Sequence, residues 1–101
     1  MAAAEPRILT LQIDKISSGV YRAESQSNGG PVTEPSEYSC ISEAIRKEAL
    51  AVPDGFAHFM EVRFCGLSSG TLGLAEVAQQ SESIASRLVS LLGEMKAIAS
   101  S

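Results

Sequence analysis

The sequence predicts an α+β fold of order ββαββα: a four-stranded antiparallel sheet with two helices on one face. Three observations predict it. Two segments alternate apolar and polar residues with a period of two. They match each other at a spacing of 51 residues, Leu9, Leu11 and Ile13 falling on Met60, Val62 and Phe64. Each is followed later by a segment whose apolar residues recur at helical spacing. Both strand-like segments lead to the same tripeptide, Ser17-Ser18-Gly19 and Ser68-Ser69-Gly70. Together these features describe a ββα pseudo-repeat.

The elements follow in order. Residues 1–6 read as a disordered tail. From Arg7 to Ile16 the chain alternates, with Leu9, Leu11 and Ile13 on one face and Thr10, Gln12 and Asp14 on the other; that pattern is a half-buried strand. Ser17-Ser18-Gly19 supplies turn chemistry, and Val20 to Ser25 returns to close a hairpin. Residues 26–39 hold Asn28-Gly29-Gly30-Pro31 and Pro35 and few apolar residues. They read as a mobile loop.

Ser39 is the expected N-cap of a helix from about Cys40 to Ala51. Ile41, Ala44, Ile45, Ala49 and Val52 share one side of it. Glu43 and Lys47 form an i,i+4 pair on the other. Pro53-Asp54-Gly55 ends the helix. Phe56 to Phe64 is the second long strand. Gly66 marks a bulge, the Ser-Ser-Gly turn follows, and Thr71 to Leu74 returns.

In the last segment Val77, Ser81, Ile84, Leu88, Leu91, Met95 and Ile98 are spaced 4-3-4-3-4-3. This is a helix with a broad apolar stripe. Val77 and Ala78 keep the register, which places its start at Ala75; Ser81 as N-cap is the alternative. The longer version measures roughly 39 Å at 1.5 Å per residue. It would overhang a nine-residue strand of ~30 Å.

A chain of 101 residues makes one domain. Its composition, 45 % hydrophobic and 20 % charged, is globular. The net charge of −4 and the lack of any basic cluster beyond Arg46-Lys47 disfavour nucleic acid and anionic membranes as partners. No apolar run reaches the ~20 residues of a membrane span. Cys40 and Cys65 form no CxxC pair and His58 is the lone histidine, so no four-ligand zinc site can be built. No calcium-loop, phosphate-loop or nucleophile-elbow pattern is present. No cofactor, metal or catalytic residue is therefore expected. Cys40 and Cys65 read as free thiols, and the first residues lack the basic and apolar regions of a signal peptide, so a cytoplasmic location is expected.

The sheet face left open by the helices would carry Arg22, Phe59, Glu61, Arg63 and Cys65. An arginine there suits a carboxylate or phosphate, so these five residues and the 26–39 loop are the candidate site for an anionic small molecule. A thiol-dependent enzyme would need a base, and strand parity puts His58 on the face opposite Cys65. The surplus of apolar residues on the last helix points instead to an oligomer interface, made of Val77, Ile84, Leu88, Leu91, Met95 and Ile98. The leading expectation is a small interaction or regulatory module that acts as a homodimer or as a subunit of a complex.

Overall fold

The computed structural model describes residues 7–27 and 30–100; the expected tail, residues 1–6, lies outside them. The class is α+β as predicted. Among the described residues the sheet has six strands rather than four, and three helices pack on one face.

The first hairpin is β1 (Ile8–Ser17) and β2 (Val20–Ser27), antiparallel, with Ile13 opposite Ala23 and Leu11 opposite Ser25. The segment expected as a loop folds back along the outer edge of β2. Two short strands form there, β3 (Gly30–Pro31) and β4 (Ser36–Tyr38), both antiparallel to β2. Between them Val32 N–H donates to Ser25 C=O at 2.9 Å. An open strand edge exposes unpaired N–H and C=O groups, and this strap covers that of β2. Strands of two or three residues leave no legible alternation.

Helix α1 (Ile41–Ala51) then packs Ile41, Ala44, Ile45 and Ala49 into the core. Its N-cap is Cys40, whose side chain makes no capping bond, and not Ser39. Glu43 and Lys47 pair at 3.5 Å as expected.

The second hairpin is β5 (Phe59–Phe64) and β6 (Leu67–Gly73). Strand order is β3-β2-β1-β5-β6, with β4 also on β2. The central pair, β1 and β5, runs parallel, so the expected antiparallel sheet is a mixed one. Its register is Leu9 beside Met60, Leu11 beside Val62 and Ile13 beside Phe64. All six side chains are buried under the helices. The 51-residue spacing in the sequence is thus the register of the parallel seam.

The ββα repeat goes no further than that seam. Ser17 and Val20 pair across Ser18-Gly19, so the first Ser-Ser-Gly is a hairpin turn. The second is not. Its hairpin turns at Cys65-Gly66, with φ of 51° and 81°, and Phe64 pairs with Leu67. Two consecutive positive φ values are what a tight two-residue hairpin requires. Ser68-Ser69-Gly70 instead forms a bulge: Arg63 pairs with Ser68 and Glu61 with Thr71, leaving one extra residue on β6. Gly70, at φ 76°, sits in it.

The closing helix is two helices. α2 (Leu74–Gln79) and α3 (Ser81–Ser100) meet at Gln80, whose φ of −109° and ψ of 25° leave the helical range. Neither expected start holds as stated: the single helix is divided, α2 begins at Leu74 rather than Ala75, and Ser81 is the first residue of α3 rather than its N-cap. Hydrogen bonds bridge the break, from Gln80 N–H to Glu76 C=O and from Ile84 N–H to Gln80 C=O, each 2.9 Å. Val77, Ile84 and Leu88 join the buried cluster of the sheet and α1.

Candidate functional site

The open sheet face forms as predicted in outline. The inward parity of Ala23, Ser25, Met60, Val62 and Phe64 turns Arg22, Glu24, Phe59, Glu61 and Arg63 outward. Short bonds along the strands tie the polar groups together. Gln12 Nε2 donates to Asp14 Oδ1 at 3.2 Å, and Gln26 Nε2 to Glu24 Oε1 at 3.1 Å. Each arginine is already paired: Arg63 with Glu61 at 3.2 Å, and Arg22 with Glu37, on β4, at 3.8 Å. Glu61 also accepts the Ser68 hydroxyl hydrogen. That bond, and then Arg63, hold the Glu61 carboxyl below the usual carboxylate range.

Cys65 leaves the predicted set. It sits in the turn after β5, exposed, rather than on the strand face beside Arg63. His58 lies before the other end of β5 and is exposed. Seven residues of nearly extended chain put the two about 20 Å apart, so no cysteine–histidine dyad forms. The open face therefore keeps Phe59, Glu61, Arg63 and Arg22, with each guanidinium in an exposed ion pair with a neighbouring glutamate.

The predicted interface residues divide sharply. Val77, Ile84 and Leu88 are 0 %, 7 % and 0 % exposed and belong to the protein's own core. Leu91, Met95 and Ile98 are 36 %, 50 % and 75 % exposed. They continue the same stripe at 3-4-3 spacing, while Leu92 beside them is still partly buried against the core. Val89 adds to the exposed apolar surface. The small residues Ser83, Ser86, Ser90 and Gly93 are exposed too.

A feature the sequence reading missed lies between α1 and the strap. Glu48 is on the buried side of α1, 9 % exposed, and accepts the Tyr38 hydroxyl hydrogen. Partial burial first, and that bond second, push the Tyr38 hydroxyl up to about 12, so it remains a donor at neutral pH. The signal was present in the sequence. Glu48 follows Ile41 by seven residues and Ala44 by four, which puts a carboxylate on the apolar stripe. Beside it opens a cleft of about 280 Å³. Leu9 and Ser25 come from the sheet, Val32 and Thr33 from the strap, and Val52 and Phe56 from the chain after α1. Thr33 Oγ1 accepts from Ser25 N–H at 3.2 Å and fixes the strap wall.

A second, polar cleft of about 450 Å³ lies where α1 and α3 begin. Glu43 and Glu82, in the first turns of those helices, already answer their N-terminal dipoles. Among the described residues no group of histidine, cysteine and carboxylate side chains is arranged to hold a metal ion, and no helix is long and apolar enough to cross a membrane. The chain matches no protein-family model, no curated protein and no solved structure.

Proposed function

We propose that this protein is an interaction module that self-associates through the C-terminal half of α3. The observation that carries this reading is the apolar stripe running out past the core. Leu88 is fully buried, while Leu91 and Met95, on the same side one and two turns later, are not. The segment beyond Leu88 spans about 18 Å. A helix of that length has little stability of its own in water and depends on packing of its apolar face.

A second copy is the occupant its charges favour. Arg87 and Glu94 lie seven residues apart on one flank of the stripe, and neither forms an ion pair among the described residues. A two-fold axis crossing the helix near Leu91 sets Arg87 of one copy opposite Glu94 of the other, twice. An isologous contact needs that self-complementarity. Two exposed free thiols, Cys40 and Cys65, fit a reducing cytoplasmic setting.

Sedimentation equilibrium of the full chain tests the proposal. A dimer is expected, and Leu91→Lys with Met95→Lys should convert it to a folded monomer. A monomer at every concentration in the unsubstituted chain would reject it. The alternative of an anionic ligand on the open face has less support, because Arg22 and Arg63 are each paired with a glutamate.

A further inference from the structure

Glu48 is a buried carboxylate that forms no ion pair among the described residues. It is 9 % exposed, its Oε2 accepts from Tyr38, and among the described residues no lysine, arginine or histidine pairs with it. Buried charge is costly unless a counter-charge meets it. Ser25 lines the same cleft and is 3 % exposed, and its N–H and C=O are both bonded to the strap. The Ser25 hydroxyl and the Glu48 carboxylate can both accept hydrogen bonds, and a carboxylate accepts only. The remaining surface is mostly apolar, from Leu9, Val32, Val52 and Phe56. The volume of about 280 Å³ is at the small end of ligand-binding pockets.

We propose that this cleft binds a small organic cation, a primary ammonium group on a compact apolar body. The ammonium donates to Glu48 and to the Ser25 hydroxyl, and the body lies against Leu9, Val52 and Phe56. An ammonium brings three donors and no acceptor, which suits two acceptors. The protein's net charge of −4 favours the approach of a cation. A carboxylate or phosphate of the same shape would be repelled by Glu48. A neutral alcohol would leave its charge unmatched.

The test is a heteronuclear NMR titration of the full chain with three ligands of one shape: cyclohexylamine, cyclohexanol and cyclohexanecarboxylate. Cyclohexylamine should shift the amide resonances of Val32, Ala51, Val52 and Phe56. It should bind about 10- to 100-fold more tightly than the alcohol, and Glu48→Gln should erase that margin. Equal affinity for all three ligands would overturn the proposal, as would cyclohexylamine that causes no saturable shift by ~10 mM. Should Glu48→Gln lose the fold, Ala51→Trp decides. Ala51 is exposed at the end of α1 and borders the cleft, so the indole blocks the cleft without entering the core. Loss of cyclohexylamine binding in that variant supports the proposal, and unchanged binding overturns it.

Discussion

The Tyr38 hydroxyl donates to Glu48, joining the last residue of the strap to the buried side of α1 across ten positions of chain. The bond fixes β4 and the helix that follows it in one arrangement. It also satisfies one oxygen of a largely buried carboxylate at the edge of the cleft.

Removing the donor leaves that oxygen unmatched. Tyr38→Phe should lower stability by about 1–3 kcal/mol, the cost of an unsatisfied buried polar group. Urea unfolding measures it. The same tyrosine gives an alkaline signature. Its folded pKa, about 12, lies above the unfolded value, so its contribution is complete below pH ~10 and is lost as pH rises through about 12. In Tyr38→Phe the loss of stability over that interval should shrink, and the phenolate absorbance titrating near 12 should vanish.

Glu61 acts at the other end of the pH scale. Ser68 and Arg63 hold its pKa below the ordinary value. Its contribution is present above the unfolded pKa, near ~4.3, and disappears as pH falls through the lower folded one. Glu61→Gln should therefore flatten the acid limb of a stability–pH curve below about pH 4. Ser68→Ala, which removes the leading cause of the shift, should move the same limb upward in pH.

The flank of α3 permits a charge-exchange experiment. Arg87→Glu should weaken the dimer by placing carboxylates opposite one another, and so should Glu94→Arg by placing guanidiniums opposite one another. The double exchange should restore association, because each new arginine then meets a new glutamate. Sedimentation at low and high salt separates the outcomes, since exposed pairs contribute only ~0.2–1 kcal/mol each and are screened.

Cys65 holds a left-handed conformation, φ 51°, that L side chains disfavour. Asparagine tolerates it, and Asn-Gly is the preferred pair for such a hairpin. Cys65→Asn should raise stability by about 0.5–1 kcal/mol, read from the thermal midpoint. Gly66→Val, with φ 81° and a branched side chain, should lower it by more.

The elements with long patterns were legible. Leu9, Leu11 and Ile13, and Met60, Val62 and Phe64, alternate over enough residues to define strands and their inward faces. Ile41, Ala44, Ile45 and Ala49 did the same for α1. Strand direction was not legible, because period-two alternation looks the same beside a parallel or an antiparallel neighbour. The tight turn was hidden because cysteine at its first position lacks the asparagine or aspartate that marks such turns, and the Ser-Ser-Gly match drew the turn four residues too far along. Exposure along the last helix depends on where the sheet ends beneath it, which its own heptad spacing does not record. Thus Val77, Ile84 and Leu88 read the same as Leu91 and Met95. Of the cleft, Glu48 left a trace as a charge on an apolar stripe. Its wall at Val32 and Thr33 left none, since both lie between the short strands β3 and β4, where the chain carries no period.

The parallel seam of β1 and β5 constrains what either half of the chain can do alone. Two identical halves related by a rotation would meet either head to tail on one face or head to head with opposite faces inward. Leu9 and Met60 meet head to head with the same face inward, an arrangement no two-fold axis produces. A fragment ending near Pro53 could not rebuild this sheet by pairing with its own copy. It would need the other, unlike fragment, so the two hairpins behave as complementary parts rather than as interchangeable modules.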